Sequence, residues 1–248
     1  ARLAGRQVLI GPPPPAQSYL AIDRLVEAAQ RSGCDAVHPG YGFLSERAAF
    51  AQACVDAGLI FVGPTPQAIA AMGDKIMAAR LAAEAGVPRV PGSGAVADAA
   101  TAQAEADRIG YPVLVKASAG GGGRGMRVVR EAPQMAAAFA SARTEAQAAF
   151  GDGTLYVEKL IERARHVEIQ LMADHHGAVV HLGERECSTQ RRHQKLIEES
   201  PSPILNPAQR SAMAECAVAL ARKVGYQGAG TVEFVVDERD GRFYFLEM

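Results

Sequence analysis

The run Lys116-Ala-Ser-Ala-Gly-Gly-Gly-Gly-Arg-Gly-Met126 sets a lysine at the mouth of a glycine-rich loop. Glycines lack a Cβ, so their backbone N–H groups can close on an anion, and a neighbouring ammonium is a point charge suited to phosphate oxygens. A second chemical pattern lies near the other end, in Thr231-Val-Glu233-Phe-Val-Val and Arg242-Phe-Tyr-Phe-Leu-Glu247. A hairpin centred on Asp240 puts Glu233 opposite Glu247 on one face. Opposed carboxylates repel, and a divalent cation removes that penalty. Two carboxylates plus nucleotide phosphates are the usual protein share of a Mg²⁺ site. A polar hairpin with an accidental acid pair is the competing reading, and the phosphate loop in the same chain weighs against it.

Two familiar phosphate motifs are excluded. Gly120-x-Gly122-x-x-Gly125 matches the dinucleotide pattern by letter, but that fingerprint needs a helix after the glycines, and here Met126-Arg-Val-Val129 reads as a strand. Gly120-x-x-x-x-Gly125 also opens a P-loop, yet Met126-Arg127 stands where Lys-Ser/Thr is required. A flexible linker is the remaining alternative, and two flanking apolar strands argue against it.

Other residues gain meaning by position. His166-Val-Glu168-Ile-Gln170-Leu alternates, so Val167, Ile169 and Leu171 share a buried face and His166, Glu168 and Gln170 the opposite one, as on the floor of a site. Gln190-Arg191-Arg192-His193-Gln194-Lys195 gathers potential cations between acids, which suits a pocket for phosphate or a small oxyanion, or a solvated charged loop. Glu158 and Lys159 end a strand at 154–160 whose main chain could meet an adenine edge; alone they read as an exposed pair. Lys75, at a helix start, alone reads as a surface lysine. His38 and the loop 39–42 lie at the carboxyl end of a strand, where ligands bind in open α/β sheets, or simply form a tight connection. The histidines and cysteines show no zinc-ligand spacing, and the charged run lacks the aromatic interleaving of nucleic-acid sites.

These side chains need elements to hold them. Strands at 7–10, 34–38 and 59–62 alternate with helices from Ser18 to about Ser32 and from Ser45, which implies a parallel, doubly wound sheet. A helix starts near Pro66, and 86–94 is Pro- and Gly-rich, as a linker is. A helix at 98–109, the strand–glycine loop–strand, a helix near 132–149 and the strand at 154–160 make a compact unit suited to a lid. An amphipathic helix at 207–224 turns Met213, Ala217, Leu220 and Ala221 inward before the hairpin. The chain has 248 residues, a net charge of −1, and 48% apolar and 21% charged residues, an ordinary balance that argues against a dedicated nucleic-acid or acidic-membrane binder. No run is long enough to span a membrane. Cys34, Cys54, Cys187 and Cys216 form no C-x-x-C pair and read as reduced core residues in a cytoplasmic protein.

Taken together, Lys116 to Met126, Arg165-His-Val-Glu-Ile-Gln170, Gln190 to Lys195, Gly228-Ala-Gly-Thr-x-Glu-Phe234, the ending Phe-Leu-Glu-Met and His38-Pro-Gly-Tyr-Gly-Phe-Leu-Ser-Glu46 resemble the biotin carboxylase component of biotin-dependent carboxylases, along essentially the whole chain. The resemblance implies an α/β and α+β architecture, an ATP-grasp fold behind part of a doubly wound parallel-sheet domain. Its divisions would be 1–65, the end of the amino-terminal domain; 66–88, linker helices; 89–160, the lid; and 161–248, the first part of the carboxyl-terminal domain.

By resemblance, Lys75, Lys116 and Lys159 contact ATP, and Gly122 and Gly123 belong to the loop over its phosphates. Glu158 and Ile161 line the adenine pocket, His166 lies near the ribose, and His193 contacts the nucleotide. Glu233 and Glu247 hold Mg²⁺ (or Mn²⁺), and Lys195 binds bicarbonate. The implied reaction activates bicarbonate with ATP to carboxyphosphate and then carboxylates biotin on a carrier domain or protein. A carboxyltransferase domain or subunit passes the group on to acetyl-, propionyl- or methylcrotonyl-CoA, pyruvate or urea. The family is commonly homodimeric. It continues past Phe-Leu-Glu-Met with an arginine and a general base, so the expectation is a piece truncated at both ends, with most of the Mg-ATP site but inactive alone. The alternatives are a bicarbonate-activating ligase of the carbamoyl-phosphate synthetase type and a non-catalytic nucleotide-binding subunit.

Overall fold

The computed structural model describes residues 5–119, 125–192 and 194–248. Its first part holds α1 (Ile22–Arg31), β1 (Ala36–Val37), α2 (Ala48–Asp56) and β2 (Ile60–Phe61), and the two strands pair in parallel. Ile22, Leu25, Val26 and Ala29 of α1 pack with Leu44, Phe50, Cys54 and Leu59. Three local expectations fail. Residues 7–10 form no strand: Leu9 is exposed, and the Ile10 carbonyl accepts from Arg24 Nη1 at 3.2 Å. Ser18 does not cap α1 but donates its hydroxyl to the Pro14 carbonyl. Ser45 sits in a 3₁₀ turn, Phe43–Glu46, and donates to Gly42, so the helix waits until Ala48. In both serines a short hydroxyl-to-backbone bond outcompetes the helical start.

α3 (Pro66–Gly73) and α4 (Lys75–Glu84) follow. Thr65 and Asp74 cap them by accepting from the N–H groups of Ala68 and Met77, and the Asp74 cap makes Lys75 the first residue of α4.

β3 (Gly92–Val96), α5 (Ala99–Ile109), β4 (Val113–Ala117), β5 (Arg127–Val129), α6 (Met135–Phe150) and β6 (Leu155–Lys159) form the next unit, an antiparallel sheet of order β3-β6-β4-β5. β3 lies in a segment that reads as linker. It pairs because Gly92 lets the backbones close in: a Cβ there would stand 3.0 Å from the Val157 carbonyl oxygen. Alternation sends Val113, Val115, Ala117, Leu155 and Val157 against Ala102, Ala106, Met135, Phe139, Ala142 and Ala146, a core of its own. The opposite face carries Lys116, Tyr156 and Glu158.

β7 (Ala164–Ala173), β8 (Val179–Arg191), β9 (Gln194–Glu199), α7 (Pro207–Lys223), β10 (Gly228–Asp237) and β11 (Phe243–Glu247) complete the chain as an antiparallel sheet of order β11-β10-β7-β8-β9. The charged segment expected as pocket or loop is a hairpin, β8 running to Arg191 and β9 starting at Gln194. Val167, Ile169, Leu171, Val232, Phe234 and Val236 pack on Met213, Ala217, Leu220 and Ala221 of α7, and Met72, Ala78, Ala82 and Val87 join the same core. α3 and α4 are therefore part of the five-stranded body. The four cysteines are free; Cys54 and Cys187 are buried, Cys216 is half-buried, and Cys34 is exposed rather than in the core. Among the described residues no helix is long and apolar enough to cross a membrane.

Candidate active site

On the polar face of the five-stranded sheet, four expected residues meet. Glu168 on β7 lies directly opposite Glu233 on β10. Lys195 Nζ, from β9, hydrogen-bonds to Glu168 Oε2 and sits 2.8 Å from Glu233 Oε1. His166 Nε2 stands 3.3 Å from Glu233 Oε2 and 3.9 Å from Glu168 Oε2. Glu168 is held from its other oxygen by Arg185 Nε at 2.5 Å. Burial alone would push the Glu168 carboxyl up; the bonds from Lys195 and Arg185 outweigh it and hold it below the usual carboxylate range. Burial likewise pulls Lys195 down, and its bonds to Glu168 and Glu233 more than reverse this, so the ammonium keeps its proton.

A second group lines a cavity of about 270 Å³ between the two sheets, walled by Lys75, Arg89, Tyr156, Glu158 and Phe245 among others. Lys116 Nζ is 2.7 Å from Glu158 Oε2 and lies over the Tyr156 ring, 5.6 Å from its centroid. Burial lowers the Lys116 pKa, and the charge of Glu158 more than offsets it, so this lysine too stays charged. Burial pushes the Tyr156 hydroxyl up to about 12. Lys75 Nζ lies 3.6 Å from Glu247 Oε2.

The two groups join at the β10–β11 hairpin. Phe234 pairs with Phe245 and Val236 with Phe243, a register that would bring Leu246 opposite Glu233; a bulge at Glu233/Phe234 brings Glu247 there instead. The opposed acid pair thus exists, through an irregularity rather than a plain hairpin about Asp240.

Of the remaining expected residues, Lys159 is turned away from both groups: its Nζ donates to the carbonyls of Gly110 and Tyr111, each at 2.8 Å. Ile161 is half-buried just after β6. Gly122, Gly123 and His193 lie outside the described residues. His38 accepts at Nδ1 from the Gly40 N–H, a loop-closing bond. Sequence reasoning missed Arg185 and Tyr156. Counting pairs out from the Asp174–Gly177 turn assigns Arg185 to the buried face of β8. A register shift between Ile169 and Leu171, where Gly183 adopts φ +89°, carries it to the polar face opposite Glu168. Tyr156 had a usable signal, since it alternates with Glu158 on β6.

Residues 74–248 match the family described as carbamoyl-phosphate synthase L chain, ATP binding domain, and residues 1–69 match biotin carboxylase, N-terminal domain. The chain is 53% identical over its whole length to the mitochondrial methylcrotonoyl-CoA carboxylase subunit alpha of Oryza sativa subsp. japonica, of which it covers 34%. It is similar to the crystal structure of a biotin carboxylase–βγ-ATP complex from Campylobacter jejuni, with a TM-score of 0.93 and 50% identity over 96% of this chain and 54% of that one. It is also similar to the biotin carboxylase domain dimer of the Hydrogenobacter thermophilus 2-oxoglutarate carboxylase in complex with MgADP, ADP and bicarbonate, with a TM-score of 0.91 and 47% identity over 96% of this chain and 52% of that one. The chain therefore spans a third to about half of the length of these three proteins, and among them are a subunit and a domain of larger carboxylases.

Proposed function

Because the chain belongs to the biotin carboxylase family, we propose that it takes part in ATP-dependent carboxylation of carrier-bound biotin, with bicarbonate as the carbon source and carboxyphosphate as the activated form. The observation that carries this reading is the placement of Lys195 between Glu168 and Glu233, across the hairpin register from Glu247. Glu233 and Glu247 are a hard-oxygen donor pair that fits Mg²⁺ or Mn²⁺. Such an ion supplies charge neutralisation to the nucleotide phosphates when bound.

The chain's own side chains do the positioning. Lys75, half-buried in the wall of the cavity between the sheets, and Lys116, paired with the cavity residue Glu158, bind phosphate oxygens. Glu158 and Ile161, with the adjoining main chain of β6, form the adenine side, and the four-stranded unit acts as the lid over the nucleotide. Lys159 serves by holding the approach to β4 rather than by touching the phosphates. His166 lies at the ribose side, His193 contacts the nucleotide, and Gly122 and Gly123 close over it. Lys195 receives bicarbonate. Phosphoryl transfer asks little covalent chemistry of a protein, so positioning and charge carry most of the catalysis.

The proposed divisions at 65, 88 and 160 are supported by the separate apolar clusters, although 66–88 packs with the last unit. Proposed partners are a biotin carboxyl carrier domain, a carboxyltransferase domain or subunit and a second copy of the chain, in the cytoplasm.

The test is ADP release from Mg-ATP by the full-length protein, with and without bicarbonate and then with free biotin. Release that requires bicarbonate and rises with biotin is expected. The family match over 74–248 favours a carbamoyl-phosphate-type ligase as second reading; bicarbonate dependence with no biotin response would establish that one, and no bicarbonate dependence would overturn both.

A further inference from the structure

We infer that Arg185 is a positioning residue for the anion site: it takes up part of the charge of Glu168 and so leaves Lys195 with a cationic face for bicarbonate. The inference rests on the reading of Lys195 as the bicarbonate residue.

Arg185 is tied to every strand around it. Its Nε bonds Glu168 Oε1 on β7, its Nη1 donates to Gln170 Oε1 at 3.0 Å, and its Nη2 reaches Thr231 Oγ1 on β10 at 3.4 Å. Glu198 Oε2 on β9 lies 3.7 Å from the same Nε. A planar, permanently charged guanidinium is the side chain able to keep such a fork in place. It is also only 30% exposed, so its charge acts largely within the site.

The charge balance gives the arrangement its sense. The Glu168 side chain is 3% exposed, so water scarcely screens it and its field falls on the cations beside it. Lys195 is shared by Glu168 and Glu233. These two carboxylates and one ammonium sum to a negative charge, which would repel an incoming anion. Arg185 offsets one of these negative charges and divides Glu168 between two cations, one bond to each oxygen, while Glu198, 45% exposed and 3.7 Å from Arg185, is screened by water. Lys195 is then held in place by Glu168 without being neutralised by it alone.

The experiment compares Arg185→Gln, Arg185→Lys and Arg185→Gln/Glu168→Gln in the full-length protein. It measures the KM for bicarbonate, the KM for ATP, MgADP affinity by calorimetry and the melting temperature. Arg185→Gln should raise the bicarbonate KM by about tenfold, the size of the effect that outer partners have on metal ligands, with MgADP affinity unchanged. Arg185→Lys keeps the charge, folds on the milder change and should recover part of the loss. The double variant removes the carboxylate that traps Lys195, so it should bind bicarbonate better than Arg185→Gln alone. Equal losses for bicarbonate and MgADP, no rescue by lysine, or a double variant worse than the single one would overturn the proposal and leave a structural role. Lys195→Met separates the two readings. If it leaves the bicarbonate KM unchanged, the reading of Lys195 fails and carries this inference with it; if it raises that KM while Arg185→Gln does not, only the inference about Arg185 fails.

Discussion

Glu233 and Glu247 are partners across the β10–β11 hairpin, yet each carboxylate is met by a different lysine: Glu233 by Lys195 at 2.8 Å and Glu247 by Lys75 at 3.6 Å. Two acids in register on one sheet face are destabilising unless cations share the space. The lysines do this, and both belong to the proposed anion-binding set.

Glu247→Gln keeps the shape and removes one of the two charges proposed to hold the metal. The expected outcome is a fall in Mg²⁺-dependent nucleotide affinity with the melting temperature nearly unchanged, since the Glu247 side chain is 44% exposed and its pairing with Lys75 is worth about 1 kcal/mol or less. Calorimetric titration with ADP, with and without Mg²⁺, checks it. Unchanged affinity would return the pair to an ordinary polar hairpin.

Lys116→Met tests the ion pair with Glu158, which lines the cavity between the sheets. Nucleotide affinity should fall, and stability should fall as well, by roughly 1–3 kcal/mol, because Glu158 would lose its 2.7 Å partner while remaining half-buried. Adding Glu158→Gln should return much of the stability but none of the affinity. Urea unfolding and nucleotide titration of the single and double variants separate the two effects.

Glu184 offers a pH signature away from the site. Burial would raise its carboxyl, but the bond from Arg210 and the 3.1 Å bond from the Ser202 N–H hold it below its ordinary 4.5. The unfolded chain therefore takes up this proton at higher pH than the native one. The contribution of Glu184 is complete above about pH 4.5 and is lost as the pH falls through the depressed native value. Glu184→Gln should lower stability at pH 7 and flatten this part of the acid limb, as read from urea midpoints between pH 7 and pH 3.

Phe234 lies fully buried on the core face of β10, edge-to-face on Phe243 with centroids 5.5 Å apart. Phe234→Ala should cost about 3–5 kcal/mol, measured by chemical unfolding. The loss is expected in the body, since Phe234 shares its core with α7 and the helices at 66–84.

The expected fold, and the shared face of several candidate residues, were legible because alternation is a strong signal where one sheet face is buried. Val167, Ile169 and Leu171 alternate inward, and this alone put His166, Glu168 and Gln170 together on the opposite face. Legibility ended where the ladder is irregular. Arg185 changes faces through one inserted residue in β8, and Glu247 meets Glu233 only through another in β11. The first irregularity hid a residue; the second happened to agree with a plain count. Ser18 and Ser45 misled for a different reason, since a hydroxyl that could cap a helix found a nearer carbonyl. The direction of the Lys159 side chain was not legible, because it depends on the carbonyls of residues 110 and 111, far away in sequence.

The four-stranded unit owns its apolar core, from Val113 and Val157 through Phe139 and Ala146, separate from the cluster around Phe234. The protein should therefore not open as one body. Amide protons of β4 and β6 should exchange with deuterium as one set and those of β7 and β10 as another, each with its own opening free energy. A substitution confined to either core should speed exchange in its own set and spare the other.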